Sequence, residues 1–178
     1  CVFAGNWLKY ASGNDPYENG DAIYVAGNTT LENCTVVNNA NKGIIRNSGL
    51  LLIRNSIVWN NLNDVMGTAT LEYSNIGSGA VAGVNGNIST NPLFINPAAY
   101  DFRLQSAYGR DDGLGGWIKD PQSSPCLDAG CSSAWMATAS DILGLARLSV
   151  GIPGNLPARV DMGAHESPRP PNAQGTIM

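Results

Sequence analysis

Two seven-residue stretches decide the fold: Asn33–Asn39 reads NCTVVNN and Asn55–Asn61 reads NSIVWNN. They stand 22 residues apart, and the residues upstream keep the same register, Leu31 with Ile53 and Glu32 with Arg54. Eighteen residues beyond that last pair, Leu71–Gly77 reads LEYSNIG, which puts Glu72 and Ser74 where Arg54 and Ser56 stood. Toward the N-terminus, Cys1–Asn6 (CVFAGN) aligns with Cys34–Asn39 at an offset of 33 residues. The surplus length falls in residues 7–20, a Gly/Asn/Asp/Pro-rich stretch that reads as an inserted loop.

Each copy has the same grammar. A run of β-branched or large apolar residues, Thr35–Val37 or Ile57–Trp59, ends in an Asn pair. A turn and a second short run follow (Gly43–Arg46, Val65–Thr68), and Leu50–Ile53 or Thr70–Tyr73 leads into the next copy. Runs this short suit strands rather than helices. A unit of about 20 residues with two or three such strands cannot bury its apolar face alone, so it must stack on its neighbours. Stacking like on like makes the strands parallel, about 4.8 Å apart, and lines up equivalent side chains. Val36 is expected above Val58, Asn39 above Asn61, and Cys1 beside Cys34. Asn suits the bends because it tolerates left-handed backbone and bonds nearby backbone groups. In a stack its amide can also donate to the equivalent amide one rung away. The competing reading of the Asn row is a set of groups reading sugar hydroxyls.

Composition agrees. The 178 residues are enough for one domain with a sizeable core. Charged residues make up 13%, against a usual share of about 25%. The polarity comes from 20 Asn, with 21 Gly, instead. Long surface helices normally carry i,i+4 ion pairs, which this chain lacks the charges to build. With a net charge of −4 and three Lys it offers no nucleic-acid surface. No run approaches the ~18 apolar residues of a membrane span. The chain opens mid-strand at Cys1, which reads as a removed leader or a piece of something longer. Four cysteines, an even count, fit an extracellular or cell-surface protein with disulfides. Cys126 and Cys131 are placed to close a local disulfide, while Cys1 and Cys34 also read as buried thiols. With one histidine and no Cys-x-x-Cys pair, no structural zinc is expected. Asn-x-Ser/Thr triplets at Asn28, Asn33 and Asn87 arise readily by chance in so Asn-rich a chain.

The rungs at Leu31–Asn39 and Ile53–Asn61 resemble those of right-handed parallel β-helix proteins. The downstream half is similar to the terminal segment of large bacterial surface and secreted proteins of that class, of the choice-of-anchor and polymorphic-outer-membrane-like kinds. The stretches that carry this resemblance are YSNIGSG at Tyr73–Gly79, GNISTNPLFINP at Gly86–Pro97 and YDFRLQ at Tyr100–Gln105. They continue with SSPCLDAG at Ser123–Gly130 and RVDMGAHE at Arg159–Glu166. Arg110–Gln122 departs by interrupting the usual short link. Ala134–Leu156 departs by being less acidic, keeping only Asp141, Gly144 and Arg147. The expected architecture is all-β: a right-handed parallel β-helix of three to four rungs over residues 1–85, a loop-rich capping segment over 86–166 and a Pro-rich tail over 167–178.

The last rung of a β-helix leaves unpaired backbone and exposed core, which a cap must cover. Within that cap, Leu93–Ile95 and Phe102–Leu104 read as strands around a bend at Pro97, and SSPCLDAG as a turn capped by Ser123 or Ser124. Asp128 and Asp161 are expected to satisfy loop amides. The rival is a Ca²⁺ site drawn from Asp111, Asp112, Asp120, Asp128 or Asp141, but no Asp-x-Asp-x-Asp-Gly loop is present. No cofactor is expected.

Catalytic signatures are sparse. Glycoside hydrolases need paired carboxylates, and the rungs offer only Glu32, Arg54 and Glu72 at equivalent positions. These read as a cross-strand charge ladder on a solvated face rather than an acid/base pair around an arginine. His165 reads as structural, and Gly113–Gly116 (GLGG) lacks the strand–helix context of a nucleotide loop. The expected function is therefore non-catalytic: an extracellular β-helical surface stalk or appendage subunit, assembling head-to-tail through its open N-terminal rung. The alternatives are the terminal part of a carbohydrate-active enzyme, lyase- or hydrolase-like, and a carbohydrate-binding module that contacts polysaccharide. Of the aromatics for that last reading, Trp7, Trp59, Trp117 and Trp135, Trp59 reads as core. Trp117 and Trp135 lie in loops, as exposed stacking platforms should.

Overall fold

Each copy of the repeat folds as one turn of three short strands. The computed structural model describes residues 1–6, 21–78, 82–112, 114, 116–149 and 157–168. The expected insertion at 7–20 with Trp7, the tail beyond Pro168, and positions 113 and 115 of the GLGG stretch lie outside the described residues. The first rung consists of β1 (Val2–Ala4), β2 (Ile23–Ala26) and β3 (Thr29–Glu32). The second consists of β4 (Thr35–Val37), β5 (Lys42–Ser48) and β6 (Leu51–Arg54). The third consists of β7 (Ile57–Trp59), β8 (Asn63–Met66) and β9 (Thr70–Glu72), and β10 (Asn75–Ile76) begins a fourth. Equivalent strands pair in parallel, giving three sheets in the orders β1-β4-β7-β10, β2-β5-β8 and β3-β6-β9. The rung repeat thus builds a parallel β-helix.

One apolar column from each sheet fills the interior. Phe3, Val36, Val58 and Ile76 stack in the first sheet. Ile23, Ile44 and Val65 stack in the second, and Leu31, Ile53 and Leu71 in the third. All ten belong to one core, in which Val36, Ile44, Ile53, Val58 and Ile76 have no exposed surface. Val58 points inward, so its neighbour Trp59 points outward. It is half-buried rather than core, correcting the sequence expectation.

This first compact unit spans Cys1–Asn91 and also takes in Met162–Ala164. It therefore runs past the expected boundary at residue 85. Its closing turn is made by residues 85–90: Tyr73 N donates to Asn85 O, and Ile88 bridges to Asn75. Met162–Ala164 lies against the outer face of the first sheet. Gly163 N donates to Asn55 O at 2.8 Å and Ala164 N to Thr35 Oγ1 at 3.0 Å. This cover accounts for the burial of the outward-facing Thr35 of β4. Gly163 sits at φ +98°, and a Cβ there would stand 2.9 Å from Thr35 Oγ1 and 3.0 Å from Ile57 Cδ1. Only glycine fits both the conformation and the space.

The second unit comprises Pro92–Asp161 and the residues from His165 onward. β11 (Phe94–Asn96) and β12 (Asp101–Leu104) form an antiparallel hairpin. The Asn96 side chain caps a 3₁₀ turn at Pro97–Ala99, and the strands fall within a residue of the expected Leu93–Ile95 and Phe102–Leu104. β13 (Arg110–Asp111) and β14 (Trp117–Ile118) form a second antiparallel pair, the structural meaning of the Arg110–Gln122 interruption. Ser124 Oγ accepts from Cys126 N at 3.1 Å and opens the turn read in SSPCLDAG. Phe94 and Phe102 meet edge to face at 5.3 Å, and Leu104, Leu127, Met136 and Val160 are likewise buried in this unit. No α-helix occurs among the described residues.

If the stacked columns hold the rungs together, Ile53→Ala should cost about 2–5 kcal/mol. The outward, exposed Thr30→Ala should stay within about 0.5 kcal/mol of the parent. Urea midpoints at constant slope measure both.

Candidate functional site

The expected Asn ladder is formed and has a direction. Asn6 donates its backbone N–H and Nδ2 to Asn39 Oδ1 at 3.1 and 2.8 Å. Asn39 makes the same pair of bonds to Asn61 Oδ1 at 3.0 and 2.7 Å. Asn61 makes them to Asp64 Oδ1 at 3.1 and 2.9 Å. Asp64, which the sequence reading missed, ends the row as a carboxylate. Burial pushes its pKa up, against bonds from the Asn61 side chain and from the Asn61, Gly77 and Ser78 amides. A second ladder runs along another corner. Cys34 N donates to Ser56 Oγ, Ser56 N to Ser74 Oγ and Ser74 N to Asn87 Oδ1, at 3.1, 3.1 and 3.0 Å. The Cys34, Ser56 and Ser74 side chains each donate to the carbonyl two residues back. Cys1 sits in register as expected, its carbonyl accepting from Thr35 N at 2.8 Å. Asn33, Asn55 and Tyr73 share a left-handed corner at φ 50°, 48° and 47°. Asn33 and Asn87 are buried, so of the three glycosylation triplets only Asn28 is exposed.

On the outside of the β3-β6-β9 sheet, Glu32, Arg54 and Glu72 stand in register. Arg54 Nε lies 3.7 Å from Glu72 Oε2, both side chains partly exposed. A shallow groove of about 490 Å³ runs beside them, lined by Thr29, Thr30, Leu52, Thr68, Thr70 and Glu72. The column alternates in sign along the stack, as a charge ladder does.

In the second unit, the RVDMGAHE motif closes a buried carboxylate network. Asp161 accepts from Asp128 N at 2.6 Å and Ser167 N at 2.7 Å, which is the loop-amide role expected of it. Asp128 itself is buried at φ 49°. Glu166, with no exposed side-chain surface, accepts from Arg147 Nη1 at 2.9 Å and Asp161 N at 3.0 Å. Asp141 accepts from Glu166 N at 2.8 Å and from the amides of Leu143 and Leu145. Asp141 and Arg147 thus hold the backbone and carboxylate of this network in place. Burial, reinforced by the mutual repulsion of Asp161 and Glu166, pushes Glu166 up to about 9. Burial likewise raises Asp161 to about 7. His165 is shifted down by burial.

A cavity of about 470 Å³ in the same unit is walled by Trp117, Arg103, Arg110, Asp111 and Leu145. Arg110 is held in a two-point grip by Asp120, at 2.7 and 3.0 Å. Asp101 holds Arg103 likewise, at 2.9 and 2.6 Å. Trp117 is half-buried here, whereas Trp135 stands exposed on the 3₁₀ turn Ala134–Ala137 and does not join it. The five aspartates named for Ca²⁺ are dispersed: Asp120 binds Arg110, and Asp112 accepts from Leu114 N and Gly116 N. Among the described residues no group of three metal-ligating side chains occurs. Of the two cysteines expected to form a local disulfide, Cys126 is sealed in the core and Cys131 is half-buried. Arg103 and Asp101 lie in the YDFRLQ stretch and pair locally, two residues apart on β12, but carried no signal of a site because the sequence does not show the cavity beside them.

A family model described as "Disaggregatase related" matches residues 65–130. No curated protein and no solved structure matches the chain.

Asn61→Ala strips the acceptor from the buried Asn39 and should cost about 1–3 kcal/mol in urea unfolding; a change below about 0.5 kcal/mol would mean the ladder is incidental. The carboxylate network sets a pH dependence. Glu166 keeps its proton in the folded state well above its ordinary 4.5, so its contribution is full below that value and is lost as pH rises toward about 9. Asp161 acts in the same sense up to about 7. His165 acts oppositely, but only below its ordinary 6.5. The unfolding midpoint should therefore fall between pH 7 and pH 9, and Glu166→Gln should flatten that fall.

Proposed function

We propose that the chain is a non-catalytic extracellular structural protein, a segment of a β-helical surface stalk or appendage that takes on a further rung at its β3 edge. The direction of the Asn ladder carries this reading. Asp64 closes one end as an acceptor with its bonds filled, whereas at the other end Asn6 gives both its donors to Asn39 and no described residue donates to its Oδ1. A stack that is finished at the Asp64 end and continued at the Asn6 end accounts for this direction. β3 is the outermost strand of its sheet among the described residues. Thr29 N donates inward to Leu50 O at 2.8 Å. Alternation along a parallel strand then turns Thr30 N–H toward the open edge.

A further support is chemical. The polar side chains that recur in the rungs, Asn39, Asn61, Ser56 and Ser74, have their bonding spent within the stack. Little is left for acid/base work.

The purified chain should self-associate with concentration in light scattering and form end-to-end particles in negative-stain micrographs. Thr30→Pro, which removes the edge donor but no described internal bond, should leave it monomeric with an unchanged melting temperature. Monomers at every concentration, or association that Thr30→Pro does not touch, would contradict the edge reading. Pectin- and alginate-type polysaccharides should gain no new chain ends on incubation, and their turnover would contradict the non-catalytic reading.

A further inference from the structure

The cavity in the second unit has features that the stalk reading does not use. Its aromatic wall is fixed in place. Trp117 pairs with Asp111 across the β13–β14 ladder, and its indole edge lies over Gly109. A Cβ at Gly109 would stand 1.8 Å from Trp117 Nε1, and the residue sits at φ +113°. Glycine is thus required twice, for backbone conformation and for the ring lying across it. This arrangement holds a large flat side chain half-buried at a cavity, where a fully buried core position would have covered it.

The polar wall is fixed as well. The Nη1 groups of Arg103 and Arg110 both point at the Asp111 carbonyl, at 3.5 and 3.4 Å. The two guanidinium groups are therefore brought together at the strand that pairs with Trp117. Each is locked in a two-point grip by its own aspartate, Asp101 or Asp120. Fixed donors and acceptors beside one aromatic face, in a cavity within the usual 300–1,000 Å³ of small-molecule sites, make a built pocket. Glu166 also lines it, but both its carboxyl oxygens are occupied and its side chain has no exposed surface, so it is not a reactive group there.

The charges select among occupants. Arg103 and Arg110 are each already paired with a carboxylate, Asp101 or Asp120, and Asp111 adds a further acidic group to the wall, so no positive surplus is left to attract a phosphate, sulfate or uronate. The suitable molecule has a flat apolar CH face to lay on an indole and hydroxyls that both give and accept hydrogen bonds. We propose that the Trp117 cavity binds a neutral saccharide, with the sugar ring on the indole and its hydroxyls on the Arg103–Asp101 and Arg110–Asp120 pairs. The site lies wholly in the second unit and does not rest on rung stacking.

Isothermal titration of the full chain with cellohexaose, maltohexaose, xylohexaose and galactohexaose, beside oligogalacturonate as the acidic arm, tests this. At least one neutral sugar should bind saturably, and oligogalacturonate should bind more weakly or not at all. Trp117→Ala should weaken the neutral sugar by about tenfold or more, the loss of one aromatic contact. Trp117→Tyr should keep most of the affinity, and Trp135→Ala should change nothing. Should Trp117→Ala not fold, Asp120→Asn read beside Trp117→Tyr carries the comparison, with weakened binding expected of the first alone. No binding of any neutral sugar, a preference for oligogalacturonate, or equal affinity after Trp117→Ala would overturn the proposal. Self-association through β3 is read separately, so either result can fail while the other stands.

Discussion

Everything in the first unit depends on one constraint: a corner of a stacked rung exposes backbone groups that its own strand cannot satisfy. A rung is too short to bend back and bond itself, and water is excluded where the rungs meet. The side chain at the same position of the next rung supplies the bond. Asn61 serves Asn39 and Ser56 serves Cys34, so each rung is completed by its neighbour. The apolar columns supply the driving force for stacking, but they would tolerate slippage by two residues or by a rung. Bonds that join only equivalent positions fix the register.

This division of labour explains the composition. Ion pairs in successive rungs would put like charges about 4.8 Å apart, a repulsion uncharged amides avoid. Where charge does recur at one position, in Glu32, Arg54 and Glu72, the sign alternates. Where a carboxylate enters a ladder, at Asp64, the ladder stops. The acidic groups that remain are concentrated in the second unit, some gripping arginines and others buried around Arg147.

The rungs were legible in the sequence because a repeat states its own register. An offset of 22 residues between the NCTVVNN and NSIVWNN stretches sufficed to pair Val36 with Val58 and Asn39 with Asn61. The terminators, Asp64 and Asn87, were not legible, since a ladder end breaks the pattern that reveals the ladder. Nor was Met162–Ala164 as a cover for β4, a contact of more than a hundred residues' separation that only Gly163 hints at. Trp59 was misassigned because aromatic character outweighed the alternation set by Val58. In the second unit Trp117 was visible as a loop aromatic. Its pocket was not, because Arg103, Arg110 and Trp117 come together only once two hairpins exist.

The central claim is that side-chain bonds between equivalent corners, and not apolar stacking alone, hold the rungs in register. Native-state amide hydrogen exchange tests it most directly. The amides of Cys34, Asn39, Ser56 and Asn61 lie outside the strand ladders and would exchange quickly if only the sheets were protected. The account predicts that all four exchange only with global unfolding, matching Val36 and Ile53. Exchange at loop rates while those strand amides stay protected would contradict it.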